Sequence, residues 1–298
     1  MRLLFWRRPP AHPLPARRWT WLGGRRILTN TPYVLPKDQA EGDRLDLQHY
    51  LLKIAAGGLY RAPIRQTRAI LDVATGTGIW AREMALEFPN ARVIGFDIDR
   101  TPLERSLEVL GPGGQFPTNF SFQMADALKP FPFEDGAFDF VHGRLMSPFI
   151  PKAQWPHVAS EMMRVLRPGG HIELVDMERP PVSSSESYYL IERAIAGLME
   201  RRGLYVGVGD DLLEHLQRAG ARRVQQRKFL LGSGRQRERE QRLLATDILS
   251  IQANMKVILV RSGAFSEEQF DAVYQRTKAE LMQVGIVMPI VFCFGMKP

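Results

Sequence analysis

Three aspartates and two glycines mark where chemistry can sit in this chain: Asp72, Gly76, Gly78, Asp97 and Asp126. The apolar run from Ala69 to Val73 reads as a buried strand that breaks at Ala74, passes Thr75 and turns through Gly76 and Gly78, and a helix pattern opens at Ile79. Glycine removes the β-carbons that would hold a ligand off the backbone and permits positive φ. The helix start aims free N–H groups into the space above the strand. The next apolar stretch, Ala91 to Phe96, ends at Asp97, 19 residues after Gly78. A carboxylate at that distance can accept hydrogen bonds from both ribose hydroxyls. This much specifies a nucleoside cofactor, and Gly76, Gly78 and Ala81 also satisfy the G-x-G-x-x-A pattern of a dinucleotide site, so a nicotinamide-dependent oxidoreductase stays open at this point.

Asp72 discriminates. A carboxylate on the strand before the turn repels a pyrophosphate and attracts a cationic amino group. The segment ILDVATGTG resembles the first motif of the class I S-adenosylmethionine-dependent methyltransferases, small-molecule type, similar to LaeA-like and bacterial secondary-metabolite enzymes. That family has glycine where this chain has Ala74. The resemblance extends through PFPFEDGAFDFV and RVLRPGGHIELVD, and it implies an α/β fold: a doubly wound, mostly parallel seven-stranded sheet with an antiparallel last strand and a helical lid.

It also implies roles. Asp72, Ala74, Thr75, Gly76, Gly78, Asp97, Ile98, Asp126 and Ala127 are expected to contact S-adenosylmethionine, with Asp126 receiving the adenine amino group as a pure acceptor. Tyr33, Arg44 and Gln48, in the segment preceding the glycine-loop strand, are expected at the methionine carboxylate or the substrate. His142, placed just past the fourth strand with Arg144, is the first choice for a general base and a cofactor contact, and His49 is the second choice as base. No metal ligand set is expected. Methyl transfer is an in-line displacement served chiefly by proximity and water exclusion, so no triad is required.

The positioning elements follow from pattern. A helix from about Asp43 stops at Gly57 and Gly58. Thr101, Pro102, Glu104 and Gly111 punctuate a second over 101–110. Strands are expected over 119–124 and 138–141, then a helix over 155–166 ended by Arg167 to Gly170 before a strand over 171–175. Helices at about 184–200 and 210–219 precede a strand over 221–231. Residues 235 to 286 read as a helical insertion, with a capping box at Ser266 and Gln269, before a last strand over 290–295. The organisation expected is a basic extension over 1–30 and a methyltransferase domain over 31–298. That domain divides into a cover helix (31–66), a cofactor core (67–180) and C-terminal strands with a lid (181–298). Tyr188, Tyr189, Ile251 and Met255 suggest an apolar roof and a fairly hydrophobic small-molecule acceptor, such as a specialised metabolite.

Composition narrows the partners. The net charge is +8, but seven arginines and no acid fall in residues 1–30, which leaves +1 for the rest. A near-neutral body argues against nucleic acid. The tail's arginines and tryptophans admit weak contact with an anionic membrane surface, though the bland expectation is a loosely packed extension. No apolar run approaching about 20 residues is apparent, so no transmembrane segment is expected. One cysteine, Cys293, suits a reducing cytoplasm. Monomer and homodimer both remain open, as does a cofactor-binding regulator without catalysis.

Overall fold

The computed structural model describes residues 19–22, 25–28, 35, 38–104, 116–178, 180–205, 207–209, 211–233 and 237–298. Strands β1 (Trp19–Leu22) and β2 (Arg25–Leu28) pair antiparallel as a hairpin, where composition alone pointed to a loose extension. The two glycines between them in sequence are a hairpin signal that the Arg/Pro content obscured.

Helix α1 (Gln39–Ala56) begins four residues earlier than the pattern indicated, because the Asp38 side chain accepts from the Glu41 N–H at 3.1 Å. It ends at Gly57, φ +67°, as its left-handed cap. Then come β3 (Ala69–Val73), α2 (Ile79–Glu87), β4 (Arg92–Asp97), β5 (Phe120–Met124) and β6 (Phe138–Arg144). Residues Thr101 to Glu104 are helical, and the remainder of that expected helix lies outside the described residues. Helix α3 (Trp155–Val165) leads into β7 (Leu166–Met177). Arg167 to Gly170 were expected to be a turn before that strand; β7 instead starts at Leu166 and absorbs them as an irregularity against β6, with Gly169 at φ +75°. Helices α4 (Glu186–Arg201) and α5 (Leu212–Arg218) precede β8 (Arg222–Leu231). Helices α6 (Arg237–Arg261) and α7 (Glu267–Val284) separate β8 from β9 (Met288–Met296), and α7 carries the Ser266/Gln269 capping box.

The seven-stranded sheet runs β5-β4-β3-β6-β7-β9-β8. The first five are mutually parallel; β9 is antiparallel to β7 and β8. Chain order reverses at β3, which opens a crevice at the carboxyl ends of β3, β4 and β6. Both sheet faces are buried, as parallel strands require: Leu71, Val73, Ile94 and Phe96 pack toward α3, while Ile70, Val93 and Phe140 pack on Trp80 and Met84 of α2. Helices α1, α4, α6 and α7 close over the strand ends with two further apolar clusters.

Helix α6 holds an 18-residue window apolar enough, by length and composition alone, to cross a membrane, but it makes no clear membrane span. In the fold that apolarity serves packing on α1, α4 and α7, and the helix turns two fully buried polar side chains, Asp247 and Gln252, inward.

Candidate active site

The floor of the site is backbone. Ala74, Gly76 and Gly78 sit at φ +56°, +59° and +75°, so the turn after β3 alternates through the left-handed region. Thr75 N–H donates to the Phe96 carbonyl at 3.0 Å, pinning the turn to β4, and Thr75 Oγ1 donates to Asp72 Oδ2 at 2.6 Å. Gly95 is required beneath it, because a β-carbon there would lie 2.7 Å from Thr75 Oγ1. A β-carbon on Gly78 would meet Leu103 at 2.5 Å; Gly78 caps α2. Thr77 Oγ1 reaches across to Asp46 Oδ1 at 2.6 Å and fastens the turn to α1.

At the next strand end Asp97, 8% exposed, accepts from the Gly76 N–H at 3.1 Å and the Asp99 N–H at 3.0 Å. Asp126 follows β5 and accepts from the Leu128 N–H at 2.9 Å, so it also caps its loop. These groups border a cavity of about 310 Å³. Ala74, Thr75, Gly76, Asp97, Ile98, Asp126 and Ala127 all line it, so seven of the residues expected at the cofactor share one wall.

The roof is made of side chains. Ile251 and Met255 of α6 and Ile195 and Met199 of α4 line it, whereas Tyr188 is fully buried in the core with its hydroxyl on the Pro181 carbonyl, and Tyr189 lies outside the lining too. Arg44 and Gln48 reach the cavity wall, but their polar groups are engaged by protein. Arg44 forms a two-bond fork on Glu41 at 2.9 and 2.7 Å and an ion pair with Asp247 at 2.9 Å; Gln48 donates to the same Asp247 at 3.3 Å. Burial raises the Asp247 pKa against the pull of Arg44. Arg44, expected at the methionine carboxylate or the substrate, lines the cavity with its guanidinium already paired, and its Nη1 bond to Asp247 ties α1 to α6. Tyr33 lies outside the described residues.

Four further expectations change. Asp72 is 2% exposed and does not line the cavity; Thr75 and His142 Nδ1, at 2.9 Å, take its oxygens, so it supports the turn from behind. Nor does Gly78 line the cavity. His142 was expected at the rim as a base. It lies inside β6, which runs three residues further than expected, and its ring stacks on Trp80 at 3.7 Å between centroids. It is fully buried, and burial lowers its pKa despite Asp72, so it has no path to an acceptor. His49 does line the cavity, but its Nδ1 faces Arg144 Nη1 at 2.8 Å, and burial followed by Arg144's charge pushes its pKa down to about 2. With its acceptor nitrogen occupied, it is no proton acceptor for substrate.

One cavity group was not singled out from sequence, and a second, Arg144, was placed beside His142 at the rim with no role assigned. Glu192 of α4 accepts from Gln252 at 3.3 Å, and burial lifts its pKa to about 7. Arg144 closes β6 and faces the cavity. A charge interrupting an otherwise apolar helix face at Glu192 was the available signal. Among the described residues no group of His, Cys, Asp and Glu is placed to hold a metal ion.

The family model described as methyltransferase domain matches residues 70–170, the segment that supplies this floor. Methyltransferase str3 of Strobilurus tenacellus is 34% identical over 149 residues, 50% of each chain. Methyltransferase pytC of Aspergillus terreus is 32% identical over 213 residues, 68% of this chain and 61% of the relative. Residues 70–170 thus match the methyltransferase-domain family, and the chain is similar to these fungal methyltransferases. The fold of this family recurs in a solved Haemonchus contortus phosphoethanolamine N-methyltransferase 2, with a TM-score of 0.51 at 20% identity over 86% of this chain and 52% of that one. The chain spans about half the length of most of the curated relatives it matches.

The residues present fit the family's cofactor. Asp97 offers only acceptors to a ribose diol, Ile98 and Ala127 offer apolar surface beside it, and Gly76 presents backbone with no β-carbon in the way.

Proposed function

We propose that the chain is an S-adenosylmethionine-dependent methyltransferase acting on a small, fairly hydrophobic molecule of the specialised-metabolite type. One observation carries the reading: seven cofactor-contact positions and the apolar faces of α4 and α6 border the same cavity, so cofactor and acceptor would be held against each other. The cofactor supplies an activated methyl on a cationic sulfur. The protein's share is placement. Asp97 and the Ala74–Gly76 backbone fix the adenosyl end, Asp126 borders the adenine side, and Ile195, Ile251 and Met255 exclude water beyond it. An apolar surround favours dispersal of positive charge from the localised sulfonium onto the acceptor atom, which afterwards sheds a proton to water.

Fungal relatives named as methyltransferases, together with others named as secondary metabolism regulators, support this reading. A buried single cysteine, Cys293, its thiol pushed up to about 12 by burial, suits a reducing compartment such as the cytoplasm. The test is incubation of the purified chain with methyl-labelled cofactor and extracts of the source organism. Label in an organic-soluble small molecule is expected, and label confined to protein or nucleic acid would overturn the reading.

A further inference from the structure

A guanidinium keeps its charge at any physiological pH and carries five N–H donors in a planar fork, so a buried arginine needs acceptors and a counter-charge. Two arginines wall the cavity. Arg44 has both, in Glu41 and Asp247. Arg144 is partly buried at the cavity wall, and its one hydrogen bond among the described residues goes to His49 Nδ1 at 2.8 Å. That imidazole is neutral, so it accepts a proton contact without balancing the charge.

The carboxylates nearby are spoken for. Asp72 takes Thr75 and His142, Asp46 takes Thr77, and Glu83 takes Lys53 at 2.6 Å. They favour Arg144's charge through space, but no ion-pair contact joins any described carboxylate to it, and burial depresses its pKa. Position adds direction. Arg144 closes β6, whose Gly143 is in register with Val73 of β3, so its side chain leaves the sheet beside the Ala74–Gly76 turn. A donor fork with unused capacity therefore faces the cavity next to the place where the cofactor's adenosyl group would rest.

Resting on the cofactor reading above, we propose that Arg144 is the carboxylate anchor of this cavity, with His49 as the positioning residue that holds its fork. Its place beside the glycine turn favours the carboxylate of the cofactor's amino-acid tail over one on the acceptor. The experiment is calorimetric titration of the full chain with S-adenosylhomocysteine and with 5′-methylthioadenosine, which keeps the nucleoside and lacks the amino acid. In Arg144→Met, affinity for S-adenosylhomocysteine falls about 10- to 100-fold while that for 5′-methylthioadenosine holds within about threefold, the size of a charge-assisted pair lost. Arg144→Lys, with charge but no fork, falls between, and it serves if the Met variant does not fold. His49→Gln, which keeps an acceptor, retains S-adenosylhomocysteine affinity within about threefold, whereas His49→Leu loses about tenfold.

A third arm adds benzoate to protein saturated with S-adenosylhomocysteine. If Arg144→Met spares the homocysteine compound but abolishes benzoate binding, the carboxylate belongs to the acceptor. Unchanged binding of all three probes, or equal loss of both nucleosides, overturns the anchor. A wild-type chain that binds neither nucleoside removes the cofactor reading itself, and the anchor with it.

Discussion

The floor and the roof of the cavity are built by different physics. The floor comes from three short stretches at the ends of β3, β4 and β5, where backbone N–H groups, a left-handed turn and single carboxylates do the work. The roof comes from α1, α4 and α6 and rests on side chains alone, with one buried ionic cluster joining Arg44 and Glu41 of α1 to Asp247 of α6, 203 positions from Arg44 in the chain. A backbone floor tolerates replacement of its flanking side chains. A side-chain roof tolerates change in the acceptor it admits, at the cost of depending on a few buried polar contacts. The difference teaches that conserving a cofactor and varying an acceptor need not compete within one cavity.

Breaking the roof should produce the largest effect. Arg44→Ala leaves Glu41 and Asp247 buried without a cation, and a loss of about 3–5 kcal/mol in urea unfolding is expected. The triple variant Arg44→Met with Glu41→Gln and Asp247→Leu should recover most of it, since removing all three members leaves no uncompensated buried charge.

Glu192 should give the roof a pH signature that the floor lacks. Its pKa is 4.5 ordinarily and about 7 when folded, so between those values the folded chain binds more protons than the unfolded one, and stability falls as pH rises. Wild type should lose up to about 3 kcal/mol relative to Glu192→Gln between pH 4.5 and 7, with no further divergence above that window. Parallel urea melts at a series of pH values measure the difference; a constant gap would show that folding leaves the titration of Glu192 unshifted.

On the floor, Gly95→Ala places a methyl 2.7 Å from Thr75 Oγ1 with no backbone strain of its own. A destabilisation of about 1–2 kcal/mol is expected, together with weaker S-adenosylhomocysteine binding as the turn is pushed off β4. Comparing calorimetric affinity with melting shows whether the turn or the whole fold has moved. Smallest of all should be Ala74→Gly. It relieves a non-glycine residue at φ +56° while adding freedom to the unfolded chain, and a net gain of about 0.5 kcal/mol is expected in denaturant melts.

Most of the sheet was legible from residue pattern because parallel strands buried on both faces are short apolar runs bounded by turns, and β3 and the start of α2 fall where Ala69–Val73 and Ile79 indicated. Strand ends were less so. His142 carries nothing that distinguishes the last turn of a strand from the loop beyond it, and the three-residue extension of β6 moves it from the rim to a stack on Trp80. Asp72 was legible as an acid in the motif and illegible as a group already bonded to its neighbours. The same holds for Arg44 and Arg144: both are arginines near a cofactor motif, and only the packing of α6 tells which one is satisfied.

By itself the sequence determined the fold class, the glycine turn, and the acids that close β4 and the β5 loop, because each is set by residues within a few positions of one another. The tertiary structure decided which charged side chains remain available to a ligand. That depends on counter-charges supplied from helices about 200 residues away, and Coulomb attraction and desolvation act across space without regard to separation along the chain.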